Sequence, residues 1–383
     1  MQSNCPSTSL IRVTCRMSDT ICRWGFLSAA DIARKNWHSV ALSGNGQVVA
    51  VASRSAQKAE QFIADCQQSV PVPHKVEAVE GYEALLARDD IDAVYIPLPT
   101  GLRTEWVLKA ANSGKHVMVE KPCGVTAADV QAMIDACNAN NVQFMDGVMF
   151  MHSARLPEMR RQLDDADKIG PLRYMSSQFT FNADDDFYDS NIRGSGGLEP
   201  AGCLGDLGWY TIRLTLWVMK YEMPVEVRGR LLAGVDRQDG LGQVPTEFQG
   251  EMYFASGVSA TFFNSFRCQN SQEVVVNGRN GYLHIDDYVL PFYNNELFFD
   301  VANHDFVSDV CRFNMENHTR RFGVREYSNN VHGAQEVNLF RCFSDLVNSG
   351  RIDPHWPDIA LKTQRVLDAA LESSQHNGQP MML

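Results

Sequence analysis

Short apolar runs alternate with helical periodicity from residue 24 to residue 145, and this alternation constrains the fold more than any other feature of the chain. The runs lie at 24–27, 48–52, 93–96, 116–119 and 143–145, and amphipathic stretches separate them at 31–42, 57–66, 104–112 and 127–138. Continuous apolar strands suit a parallel sheet covered on both faces, and the crossovers between such strands are right-handed. The pattern therefore predicts an α/β fold built on a doubly wound parallel sheet.

Beyond residue 151 the texture changes. A basic helical stretch at 156–163 precedes alternating or aromatic runs at 172–181, 225–232, 248–254, 258–266, 274–276 and 282–285, separated by Gly, Asn and Asp turns. This half reads as α+β with a large, mostly antiparallel sheet, closed by a helix at 359–373. A chain of 383 residues exceeds one core. We expect a poorly ordered polar arm at 1–21, a dinucleotide-binding domain at 22–150 and a second domain at 151–383, with the last helix at about 358–375.

Composition narrows the function. A formal net charge of -12 and the lack of a Lys/Arg run argue against a nucleic-acid partner. No apolar run approaches the roughly 20 residues that span a bilayer, and the first residues lack the apolar core of a signal peptide. The ten cysteines are dispersed, with no Cys-x-x-Cys pair and no Cys/His spacing suited to zinc. We expect a cytoplasmic protein with free thiols and no metal. Cys123, close to Lys121, is either an exposed neighbour of a site or a packing residue.

A dinucleotide fold places a Gly-rich turn after its first strand, where the backbone approaches a pyrophosphate at a helix N-terminus. Here that turn reads Ser28, Ala29, Ala30, Asp31, Ile32, Ala33, with small residues at all three glycine positions, and Gly25 leaves room inside the strand. Phosphate binding by these residues and an ordinary turn capped by Ser28 are both open on this segment alone. The second strand ends at Ser53, Arg54 and Ser55, with no acid to accept ribose hydroxyls and with Lys58 one turn on. Arg54 suits a 2′-phosphate, which favours NADP, although an arginine stacked on adenine serves NAD as well. The alternative is a solvated arginine beside a Ser55 cap. In the second half, Asp206 and Tyr210 follow a Gly-rich loop at helical i, i+4 spacing, which puts them on one face.

An apolar strand ending in Glu120, Lys121 and Pro122 resembles the signature of the glucose-fructose oxidoreductase, inositol dehydrogenase and dihydrodiol dehydrogenase (Gfo/Idh/MocA) family, closest to its dihydrodiol dehydrogenase and plant-type branch. The stretch Pro97, Leu98, Pro99, Thr100 is similar to the family's proline-rich loop, although Arg103 stands where histidine is usual, and Asp206-x-Gly208-x-Tyr210 is similar to its Gly-rich catalytic segment. The resemblance implies a nicotinamide cofactor held also by Pro97, Leu98, Pro99, Thr100, Leu102, Glu120, Lys121 and Pro122. It further implies hydride exchange with a carbinol or carbonyl of a sugar-like or cyclic-diol substrate.

Removing hydride from an alcohol requires a base for the hydroxyl proton. Tyr210 is the candidate. A phenol is a poor base near neutrality unless a cation supports it, and Lys121 would do so, with Asp206 orienting the tyrosine or binding a substrate hydroxyl. Arg193 and residues 184–186 are candidates for the substrate side, and Phe150, Met151 and Arg155 for the pocket border or domain junction. The family further implies a homodimer through the open face of the second sheet, where the aromatic strands at 253–266 lie. Two alternatives remain: a non-catalytic dinucleotide-binding regulator or redox sensor, favoured by the missing glycines, and a sugar–sugar oxidoreductase that keeps its cofactor bound.

Overall fold

The computed structural model describes residues 20–184, 187, 198–237, 242–328 and 331–383. Most of the expected arm at 1–21, and the candidates Arg193, Asp185 and Asp186, lie outside them.

Six short strands, β1 Cys22–Leu27, β2 Gly46–Ser53, β3 Glu77–Glu80, β4 Ala93–Ile96, β5 His116–Val119 and β6 Phe144–Asp146, form one sheet in the order β3-β2-β1-β4-β5-β6. Every pairing is parallel. Helices α1 Asp31–Ser43, α2 Ala56–Ser69, α3 Tyr82–Leu86, α4 Thr100–Asn112 and α5 Ala127–Ala139 make the crossovers. The strand order reverses between β1 and β4, and ligands of such sheets bind in the crevice at that switch point. The expected doubly wound sheet is present. Strand β3 and helix α3 escaped the sequence reading because β3 is polar and half-exposed, with no apolar run to mark it.

Gly25 serves packing, not a ligand. A Cβ there would stand 2.7 Å from Leu85 and 2.9 Å from Ile91, so the bare backbone admits the side chains covering that face.

Among the described residues the second sheet has ten strands. They are β7 Leu172–Asn182, β8 Glu226–Asp236, β9 Gln243–Tyr253, β10 Ser259–Ser265, β11 Arg267–Ser271, β12 Val274–Gly278, β13 Tyr282–Ile285, β14 Leu297–Asp309, β15 Arg312–Val324 and β16 Met381–Met382. The path runs β15-β14-β13-β12-β7-β10-β9-β8-β16, with β11 paired to β7. The β7–β10 pair is parallel and the other pairs are antiparallel. Strands β14 Leu297–Asp309 and β15 Arg312–Val324 extend beyond the sheet as an exposed two-stranded ribbon. Their outer halves bury neither face, so the burial alternation that marks a strand is missing and the sequence reading passed over them.

One more helix, Gln335–Ser349, also went unread, although Val337, Leu339, Phe340, Phe343 and Leu346 repeat at helical spacing and Gly350 ends it with φ 65. It returns to the first sheet. Trp24 on β1 lies 5.1 Å from the rings of both Phe340 and Phe343 and donates through Nε1 to Ser344 Oγ at 3.1 Å.

A buried polar tie joins the two halves. Asp146, at the end of β6, accepts from Arg213 Nη2 at 2.6 Å and from Trp209 Nε1 at 3.0 Å, while Arg213 Nε donates to Thr363 at 2.7 Å. Arg213 and Asp146 are 0% and 1% exposed, so water competes for neither. This tie sets helix Gly208–Val218 at the carboxyl edge of the first sheet.

Candidate active site

The C-terminal ends of β1, β4, β5 and β6 open into a cleft of about 520 Å³, within the usual size of a small-molecule site. One wall is the start of α1, where Ala30, Asp31 and Ile32 present backbone N–H groups that no preceding turn can satisfy. Ser28, at the first glycine position, adopts φ 153, a backbone region that glycine favours. The turn thus keeps the conformation of a Gly-rich loop without its glycine. Ala30 makes no side-chain cap bond, so the helix N-terminus remains available to an anion.

Pro97, Leu98, Glu120, Lys121 and Pro122 form the floor of the cleft. Arg103, for which the sequence suggested no role, is buried beneath it. Its Nε donates to the Leu98 carbonyl at 2.6 Å, and Nη1 donates to Thr100 Oγ1 at 3.0 Å and to the Pro122 carbonyl. One guanidinium therefore staples two loops that come from different strands. Thr100 is engaged from the other side by Glu199, which accepts its backbone N–H at 3.0 Å and its hydroxyl at 2.5 Å. Leu102 stands exposed at the rim.

Glu120 is tied down as well. Tyr95 donates its hydroxyl to Glu120 Oε1 at 2.5 Å, and Asn36 Nδ2 donates to the Tyr95 oxygen at 2.6 Å. Burial and the neighbouring carboxylate hold the Tyr95 phenol well above its usual range, so it serves as a fixed donor.

Lys121 crosses the cleft. Its Nζ donates to Asp206 Oδ1 at 2.6 Å and to the Asp206 carbonyl at 2.9 Å, and it lies 4.6 Å from the centre of the Tyr210 ring. The lysine thus faces the tyrosine ring and makes its close contacts with the aspartate. Asp206 ends helix Gly202–Asp206 and Tyr210 sits in the first turn of helix Gly208–Val218, so the single helix expected for both is broken at Leu207. Both side chains still reach the cleft. Gly202 is needed for this approach: its φ is 48, and a Cβ would meet the Pro245 carbonyl at 2.2 Å. The Tyr210 hydroxyl donates to Met149 Sδ at 3.7 Å, and Phe150 and Phe179 pack around its ring at 6.1 and 5.5 Å. Phe150 is thus packing, as is Arg155, which is buried against Asp287.

The end of β2 looks different, and its residues do not line the cleft. Ser53 is buried at the end of β2, whereas Arg54 and Lys58 are exposed, with no side-chain hydrogen bond or ion pair among the described residues. Ser55 precedes α2 without a side-chain cap bond. Instead Glu80, which ends β3 opposite Ser53, accepts the Ala56 N–H at 3.4 Å. A carboxylate from the neighbouring strand therefore stands beside the end of β2, and pairing across the sheet is not visible in local sequence.

Cys123 is fully buried, and burial pushes its thiol far above the usual value, so it packs and does not border the site. Among the described residues no group of His, Cys, Asp and Glu is placed to hold a metal ion, and no helix is long and apolar enough to cross a membrane.

Comparison with known proteins agrees with this geometry. Residues 23–148 match a family model described as the oxidoreductase family with an NAD-binding Rossmann fold, and residues 158–284 match the GFO/IDH/MocA C-terminal domain. An NADP-dependent D-xylose 1-dehydrogenase of Haloferax volcanii is 31% identical over 68% of this chain and 74% of its own length. The chain belongs to the GFO/IDH/MocA oxidoreductase family. Within that family it is 36% identical to a dTDP-3,4-didehydro-2,6-dideoxy-alpha-D-glucose 3-reductase of Streptomyces violaceoruber, a match spanning 55% of this chain and 57% of the relative. A 3-ketoreductase of Actinomadura kijaniata, solved with NADP and TDP-benzene, superposes with a TM-score of 0.74 at 24% identity over 92% of this chain and 98% of its own. The matched residues span the first sheet and the second as far as residue 284.

A dinucleotide fits the cleft on the chain's own evidence. The turn at Ser28 holds a glycine-like backbone, the α1 N-terminus is uncapped, and one buried carboxylate oxygen on the wall, Glu336 Oε2, has no hydrogen-bond partner.

Proposed function

We propose that this protein is an NADP-dependent dehydrogenase or reductase acting on a carbinol or carbonyl of a sugar-like or cyclic-diol substrate. One observation carries the reading. Lys121 from the first sheet and Asp206 and Tyr210 from the second half meet in the cleft that begins at the phosphate turn. The bound nicotinamide would supply the hydride chemistry. Ser28 to Ile32 would hold the pyrophosphate, Pro97 to Thr100, Leu102 and Glu120 to Pro122 the nicotinamide half, and Ser53, Arg54, Ser55 and Lys58 the adenosine half.

Tyr210 then gives or takes the substrate proton. Asp206 holds the Lys121 ammonium against the ring, where its charge favours negative charge on the phenol. The free cations Arg54 and Lys58 support NADP, as does the NADP named for the xylose dehydrogenase relative, while Glu80 beside them keeps NAD within reach. Pairing of two copies through the open face of the second sheet belongs to the same reading and is supported by the exposed Tyr174 and Tyr253.

Parallel fluorescence titrations with NADPH and NADH test the cofactor assignment, which fails if neither saturates. Tyr210→Phe should lower turnover on an aldose, polyol or diol substrate by roughly 100- to 10,000-fold with NADPH affinity unchanged. Unaltered turnover would remove Tyr210 from the mechanism.

A further inference from the structure

Glu336 lies in the first turn of helix Gln335–Ser349, 301 residues after Lys35 of α1, yet both line the same cleft. It is 4% exposed. Its Oε1 pairs with Lys35 Nζ at 2.6 Å, and Lys35 also lines the cleft one turn into α1. Its Oε2 is buried with no hydrogen-bond partner. A carboxylate takes about four hydrogen bonds, and a buried oxygen without one is costly unless something bound provides it. The lysine makes the buried charge tolerable and leaves the second oxygen to the cleft.

The chemistry of the missing partner follows. A carboxylate only accepts, so the partner is a donor, and a phosphate would be repelled. The surroundings select among donors. Ile32, Met149 and Leu339 line the cleft together with Glu336, and Leu339 lies on the same helix face as Glu336. Apolar side chains on the same cleft as this acceptor suit a flat ring bearing an N–H2 group. Glu336 lines the same cleft as Asp206 and Tyr210 and is tied to α1 through Lys35.

We propose that Glu336 Oε2 accepts a hydrogen bond from the carboxamide N–H2 of the bound nicotinamide and so fixes the rotation of the ring in the cleft. This rests on the cofactor reading above. Lys35 acts through Glu336 as its positioning partner.

The test is calorimetric titration of the whole protein with NADP and with its 3-acetylpyridine analogue, in which a methyl group replaces the N–H2 and the carbonyl remains. The wild-type protein should bind NADP about 10- to 100-fold more tightly than the analogue, the range for a hydrogen bond to a charged acceptor. Glu336→Ala should weaken NADP by that factor, leave the analogue unchanged and so erase the discrimination. Equal affinity of the wild type for the two ligands would overturn the proposal whether or not the variant folds, as would undiminished discrimination in Glu336→Ala. Absence of binding by both ligands to folded wild type would instead sink the cofactor reading itself, and this proposal with it.

Discussion

The cleft around Lys121 and the end of β2 at Arg54 are built on opposite principles. Around Lys121, polar groups are tied to others from distant parts of the chain: Lys121 to Asp206, Arg103 to two loops, Thr100 to Glu199, and Asp146 to Arg213 and Trp209. At the end of β2, Arg54 and Lys58 stand in solvent. Reactions need groups held within fractions of an ångström, which buried and mutually satisfied networks supply. The first region is therefore costly to disturb, and the second is open to retuning.

The largest break in this contrast should come from Asp146. Asp146→Ala leaves Arg213 buried without its carboxylate and should destabilise the protein by about 3–5 kcal/mol in urea unfolding. A loss below about 1 kcal/mol would show that the tie joining the two halves carries little weight.

His152 sharpens the same comparison through pH. It lies just beyond Met149, stacked on Trp356 with centroids 4.7 Å apart, and burial, with Arg213 adding, lowers its pKa to about 3. The unfolded chain binds a proton on this ring near pH 6.5 and the folded chain does not. Stability from this group is therefore complete above about pH 6.5 and falls by up to about 1.4 kcal/mol per pH unit from there toward pH 3. His152→Phe should flatten this slope relative to wild type in denaturant titrations across pH 4–7. An identical slope would mean that the ring is hydrated.

At the open end, Arg54→Ala should weaken NADPH by about 10- to 100-fold with no loss of stability, and NADH much less. Equal weakening of both would assign Arg54 to adenine stacking. The smallest effect belongs to the turn after β1. Ser28→Gly should stabilise the protein by about 1 kcal/mol, because glycine adopts φ 153 without strain. A destabilised variant would mean that the hydroxyl holds the turn.

Residues whose role depends on neighbours in sequence were legible, and those whose role depends on a partner across the fold were not. Lys121 stood out because a short apolar strand runs directly into it, and it lines the cleft. Asp206 and Tyr210 stood out by spacing and line it too, although the helix breaks between them. Arg103 gave no local sign of joining Leu98 to Pro122, and Glu80 became relevant to α2 only because β3 pairs with β2.

The alternation of short apolar runs with helical stretches determined the doubly wound sheet, since backbone hydrogen bonding and burial on both faces leave that pattern few alternatives. The same reading placed the phosphate turn and the lysine at strand ends, where such sheets bind ligands. Tertiary structure alone decided that Lys121 would rest on Asp206, that the helix bearing Glu336 would return to cover β1, and that Glu336 would face the cleft with one oxygen unpaired. Those contacts join residues tens to hundreds of positions apart. Their geometry follows from how packed helices and sheets settle against one another, which local propensity does not encode.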